Sequence, residues 1–213
     1  MIVDLRHDEQ RLALEQLRDG DGVPLLLIHE LGGTRGDWDP AALDWEGPLW
    51  AIDLAGHGDS DWLISSAYSP ERFTADCDIA LAHLDEPTAL AGAGAGAYVA
   101  LLLAGARSDS VLGAALFPGA GLHAGGEQLE GTTGVLPLPE RGDPTNDRCD
   151  PRLCVLAGAP RPVDYATSFA RRARRIVLVP PETAAPAWWT AVRGAGPSVH
   201  EADAHSALRA LRG

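Results

Sequence analysis

Apolar and polar positions alternate in two different rhythms along this chain, and the order of the rhythms predicts its architecture. "MIVDLR" at 1–6 and "RLALEQL" at 11–17 read as two antiparallel strands, followed by the turn "RDGDGVP". "LLLIH" at 25–29 and "LWAID" at 49–53 are continuous apolar runs, as expected of strands covered on both faces. A helix is predicted over 70–84, "PERFTADCDIALAHL", then a strand "TALAG", a glycine turn, an apolar helix from Ala95 to Ala106 and a strand "VLGAALF". This alternation predicts an α/β fold: a three-layer α/β/α sandwich on a mostly parallel central sheet.

The later part of the chain is less regular. Residues 122–150, "LHAGGEQLEGTTGVLPLPERGDPTNDRCD", are rich in Gly, Pro and polar residues without helical period. They read as a loop excursion over one end of the sheet, a reduced cap at most. "LCVLAG" at 153–158 and "RIVLVPP" at 175–181 both read as strands, separated by a helix "VDYATSFARRARR". "SVHEADA" reads as a final strand before "HSALRALRG". A single domain is expected over 1–213.

Composition narrows the function classes. The formal net charge of −13 repels phosphate backbones and anionic lipid, so nucleic acid and membrane are not expected as partners. A small organic ligand, neutral or cationic, is expected instead, while the oligomeric state is not readable. All 17 basic residues are arginine, and without lysine neither Schiff-base chemistry nor a P-loop lysine is available. Cys77, Cys149 and Cys154 match no zinc spacing and read as reduced thiols. With a charged N-terminus lacking a secretory pattern, they suggest the cytoplasm. "HEADAH" at 200–205 has its histidines five apart in a segment that favours a strand, so no metal site is expected.

Four segments, in this order, resemble the α/β-hydrolase family. "PLLLIHELGG" is similar to the family's strand ending in His-Gly, whose following loop supplies an oxyanion donor. "AIDLAGHGDSD" resembles the Asp-x-x-Gly-His-Gly-x-Ser loop, "LAGAGAGAYVALLLAG" the Gly-x-Ser-x-Gly nucleophile elbow, and "ADAHS" the loop of the triad histidine. With Gly92 and Gly96 as the outer glycines, Gly94 stands at the serine position, so the nucleophile is missing. The resemblance implies oxyanion-site backbone at Leu31 and Ala95, and a general acid or base at His205. It implies an acid after the seventh strand: Glu182 if that strand is "RIVLVPPET", or Asp164 if it is "LCVLAGAPRPVD". In the latter case Arg161 replaces the usual aspartate. Asp53, His57 and Ser60 are expected to tie their own loop by hydrogen bonds, without a catalytic role.

The same letters, Gly92 to Ala97, also satisfy G-x-G-x-x-A, a dinucleotide fingerprint. That fingerprint needs an acidic residue at the end of the next strand, where Phe117 and Pro118 stand. No cofactor is expected.

Glu30 replaces the glycine the family carries after the strand-end histidine. A carboxylate there opposes a developing oxyanion, and equally offers a general base or a ligand contact. As an ordinary loop residue it would pair with Arg35. The expected site is a mostly apolar pocket floored by Gly94 and Ala95, with Glu30 and His205 on either side and His29 and Trp38 in its walls. Three functions fit. The first is a non-hydrolytic enzyme using Glu30 and His205 for cyclase, lyase or isomerase chemistry, in biosynthesis for example. The second is an inactive pseudo-hydrolase that binds a ligand or partner. The third is a residual hydrolase in which His205 activates water.

Overall fold

A hairpin opens the sheet. Strands β1 (Ile2–His7) and β2 (Gln10–Arg18) pair antiparallel from Ile2 opposite Glu15 to His7 opposite Gln10. The structure, a computed structural model, describes residues 1–63, 67–123, 149–150, 152–153, 156 and 159–212. Six further strands follow: β3 (Leu25–Ile28), β4 (Leu49–Ile52), β5 (Thr88–Ala93), β6 (Val111–Phe117), β7 (Ile176–Leu178) and β8 (Val199–Glu201). The order across the sheet is β1-β2-β4-β3-β5-β6-β7-β8, antiparallel through β4 and parallel from there on. This is the α/β architecture that the apolar runs predict.

The central strands are unbroken apolar runs because helices cover both faces. Leu25 to Ile28 are fully buried, their side chains alternating between two core clusters. Helix α1 (Pro70–Leu84) begins where Ser69 accepts the N–H of Arg72 and proline occupies the first turn, and it ends at Asp85 in the left-handed region. Helix α2 (Ala95–Ala106) is buried along nearly its whole length, so it has no polar face to keep. It is wedged between the sheet, α1 and α3 (Val163–Arg172). Each fully buried leucine there stabilises the fold by about 1.5–3 kcal/mol relative to exposure.

Two expectations differ from the fold. Of "LCVLAG", the described Leu153 and Leu156 lie in short helical turns and not in a strand, and among the described strands β7 follows β6 directly in the sheet. These leucines are buried against the core by those turns instead. Helix α4 (Ala187–Arg193) was not predicted, because a seven-residue segment with adjacent tryptophans shows too few turns for a period. It buries Trp188 and Trp189. Most of the 122–150 excursion lies outside the described residues. At its far end Cys149 bridges His57, and the Asp150 N–H bonds the Gly56 carbonyl at 2.7 Å. Among the described residues no helix is long and apolar enough to cross a membrane.

Candidate functional site

The elbow is built by close approach of backbone to backbone. Gly94 joins β5 to α2 with φ 54° and ψ −116°, a conformation that disfavours any side chain. Two residues on, Gly96 lies against the end of β3, where an added Cβ would stand 2.8 Å from the Ile28 carbonyl carbon. That contact brings the first N–H of α2 beside the loop after β3. The N–H groups of Ala95 and Leu31 therefore converge on one point, as an oxyanion hole requires.

The point is taken. The carbonyl oxygen of Ala120 accepts from Ala95 N at 2.9 Å and from Leu31 N at 3.2 Å. Ala120 belongs to the loop after β6, and its own N–H donates to Glu30 Oε2 at 2.6 Å. A Cβ on Gly94 would overlap this peptide, lying 2.8 Å from the Ala120 nitrogen and carbonyl carbon and closer still to its oxygen. The chain's own main chain thus fills the volume above Gly94, between the N–H groups of Ala95 and Leu31.

The loop is held on both sides of Ala120. The Gly94 N–H bonds the Phe117 carbonyl at 3.0 Å, and the Leu122 N–H bonds the Gly119 carbonyl at 3.2 Å. The Leu122 carbonyl accepts from Arg161 Nη1 at 2.7 Å and from Trp188 Nε1 at 3.1 Å, and its side chain is buried. Arg161 and Trp188 both pack on the Tyr98 ring, at 5.3 and 5.0 Å from its centroid. Burial pushes the Tyr98 phenol up, with Arg161 opposing. Each such hydrogen bond contributes about 0.5–1.5 kcal/mol net, so the loop is a tied element.

The predicted site residues do not form the expected pocket. Glu30 is at the hole but engaged with Ala120, and Arg35 bonds Glu15, Asp53 and Asp59 instead of Glu30. The reason is reach: the Arg35 N–H and guanidinium both turn to the Asp53 carboxylate at the end of β4. His205 is exposed in the turn after β8, where its N–H bonds Asp203 Oδ1 at 2.9 Å. Its imidazole makes no hydrogen bond or ion pair among the described residues. Glu182 and Asp164 are both exposed and neither bonds His205. Glu182 follows β7 and lines an open groove of about 540 Å³ with Pro118, Val179, Glu201 and Asp203, whereas Asp164 sits in the first turn of α3. Trp38 packs edge-on against Phe117 at 6.3 Å.

His29 and His57 are structural ties. His29 Nδ1 donates to the Glu30 carbonyl at 2.7 Å and its Nε2 accepts from Leu54 N at 3.0 Å. His57 Nδ1 donates to the Ala55 carbonyl at 3.1 Å and its Nε2 accepts from Gly32 N at 3.1 Å. Burial, and then the neighbouring His29, push the His57 imidazole down to about 3. It is neutral, and it ties the loop after β4 to the loop after β3. Ser60 Oγ donates to the Asp53 carbonyl at 2.5 Å and accepts Ala13 N at 2.9 Å. The loop-tying role expected of Asp53, His57 and Ser60 is what these bonds perform.

Sequence reasoning missed Ala120 and Trp188 as parts of this site, and read Arg161 only as a replacement for the family aspartate, not as an anchor of the Ala120 loop. The available signal was "PGAG" after β6: an alanine between glycines fits where backbone must enter a narrow space. Nothing local marks Arg161 or Trp188 as its anchors. Among the described residues no group of three or more His, Cys, Asp or Glu could hold a metal ion.

Known proteins match this arrangement in shape more than in sequence. The N-formylmaleamic acid deformylase of Pseudomonas putida S16 is similar at TM-score 0.72 and 15% identity, covering 95% of this chain and 92% of that one. A putative aryl esterase from Burkholderia cenocepacia is similar at TM-score 0.72 and 18% identity, over 100% and 94%. The chain has the α/β-hydrolase fold. The bottromycin epimerase BotH, solved with bottromycin A2, is similar at TM-score 0.64 and 18% identity, over 99% and 95%. No family model matches the sequence. In sequence, 113 residues are 36% identical to the dihydrolipoyllysine-residue acetyltransferase component of the acetoin cleaving system of Pseudomonas putida. That match spans 52% of this chain and only 30% of the longer protein.

Proposed function

We propose that this chain is a pseudo-hydrolase: an α/β-hydrolase fold that has lost hydrolysis and works by binding. The observation that carries the proposal is the Ala120 carbonyl in the hole between Ala95 and Leu31. Three further features support it. Gly94 has no nucleophile, the exposed His205 imidazole bonds no carboxylate among the described residues, and the Glu30 carboxylate stands where a developing oxyanion would be repelled. The ligand expected is neutral or cationic, given the net charge of −13.

The test is reaction of the purified chain with a fluorophosphonate probe and with nitrophenyl acetate, beside a heat-denatured control. No labelled serine and no turnover above the control are expected. Stoichiometric labelling, or turnover that the probe abolishes, overturns the proposal.

One observation favours a second reading, a cofactor-independent isomerase or lyase. Glu30 lies beside a hole that holds a carbonyl, the placement a base needs to remove a proton from the adjacent carbon. A protein of similar shape is named an epimerase. This reading requires Ala120 to leave the hole, and it makes Glu30 the base without His205.

A further inference from the structure

We infer that the elbow is a receptor for the main chain of one peptide residue, read through its own N–H and its own C=O, and that its outside ligand is a peptide segment with a small residue in the place of Ala120. The inference deepens the binding reading and rests on it.

A carbonyl alone would satisfy only half of what the site offers. The two N–H groups of Ala95 and Leu31 receive an oxygen, and beside them Glu30 presents an acceptor at 2.6 Å from the Ala120 nitrogen. Only a residue within a peptide chain, offering the N–H on one side of its Cα and the C=O on the other, uses all three partners, and Ala120 does so. A residue whose N–H is replaced by an ester oxygen would place that oxygen against the Glu30 carboxylate and leave it unpaired, which is the costly side of hydrogen-bond exchange. The walls set the size. A Cβ on Gly121 would stand 2.8 Å from Leu31 Cβ and 3.0 Å from Ala95 Cβ, and one on Gly119 would overlap Glu30 Oε2. The residues flanking the bound residue must therefore be glycine or turn away.

The present occupant can be exchanged. Gly119 is exposed and Ala120 half-buried, so the segment lies at the surface and its three bonds can be replaced by the same three from another peptide. Being tethered, it competes at an effective concentration on the order of millimolar, so an outside peptide gains most when the internal loop is weakened.

The experiment titrates the chain with two capped probes, observing the Leu31 and Ala95 amide resonances by NMR. One probe is the peptide Phe-Pro-Gly-Ala-Gly-Leu. The other is its depsipeptide, with the alanine N–H replaced by an ester oxygen. Wild type is compared with Gly121→Ala, whose new Cβ crowds Leu31 at a φ of 75° and loosens the internal loop. Expected are shifts of both amides, about tenfold tighter peptide binding to Gly121→Ala than to wild type, and about tenfold preference for amide over ester. Glu30→Ala in the same background should erase that preference. Ala120→Pro, which lacks the internal N–H, serves if Gly121→Ala does not fold, and the wild-type titration is judged by the same amide-over-ester ratio. Neither amide moving at millimolar peptide in a folded protein, or equal binding of both probes with Glu30 present, overturns the inference. Such a failure leaves the absence of probe labelling untouched, whereas cleavage of the peptide would sink the pseudo-hydrolase reading instead.

Discussion

The N–H of Ala95 stands 2.9 Å from the carbonyl oxygen of Ala120, and that single bond joins the start of α2 to the loop after β6. The positive end of a helix meets the negative end of a carbonyl dipole, the pairing an oxyanion would otherwise make. Gly94, between β5 and α2, lets the chain close on itself here.

Gly94→Ser should not create an efficient esterase. The new Cβ has no room beside the Ala120 peptide, and serine is disfavoured at φ 54°. The variant should lose about 1–3 kcal/mol of stability by urea unfolding and show no ester turnover above the parent. Ordinary esterase turnover would mean that the loop yields to the hydroxyl and that a working acid and base are in reach.

Glu30→Ala should loosen the loop without unfolding the core. It removes the only acceptor of the Ala120 N–H among the described residues. Amide exchange at Ala120 should accelerate at least tenfold, with smaller increases at Leu31 and Ala95. Glu30→Gln, which keeps an acceptor, should restore most of the protection. Unchanged exchange in Glu30→Ala would show that the carboxylate does not hold the loop.

The fold was legible because its strongest signals are local. Apolar runs such as Leu25 to Ile28 read as doubly covered strands, and Ser69-Pro70 marks the start of α1. Gly92, Gly94 and Gly96 likewise marked the tight turn between β5 and α2. The occupied hole was not legible, because it depends on a long-range meeting of Leu31, Ala95 and Ala120 through backbone atoms that every residue possesses. Glu30 was singled out as a departure, but its partner is a main-chain N–H 90 positions away, which no side-chain type announces. "LCVLAG" misled because a short apolar run does not distinguish a strand from a buried turn.

Stability should fall as pH drops from about 6.5 toward 3. The His57 imidazole is held down to about 3 in the fold, against an ordinary value of 6.5. Between those values the unfolded chain binds a proton that the folded one refuses. The stabilisation is therefore complete above about 6.5 and is lost on acidification, at up to about 1.4 kcal/mol per pH unit. His57→Gln, able to donate to Ala55 and accept from Gly32, should flatten the urea-measured stability between pH 6.5 and 4.5. An unchanged slope would place the pH dependence on other groups.

His205→Ala should be nearly silent. The imidazole is exposed and unbonded among the described residues, so unfolding free energy should change by less than about 0.5 kcal/mol. Binding of the peptide probes should likewise be unchanged. A large loss of either would show that His205 contributes to the site from across the turn after β8.

The most direct test of the central claim is an NMR measurement of scalar coupling across the hydrogen bond from the Ala95 amide nitrogen to a carbonyl carbon. The account predicts a correlation between Ala95 N and the Ala120 carbonyl carbon in the ligand-free protein, with slow solvent exchange of the Ala95 amide. An Ala95 amide that exchanges freely with water and shows no such correlation would mean that the hole stands open, and it would contradict the account.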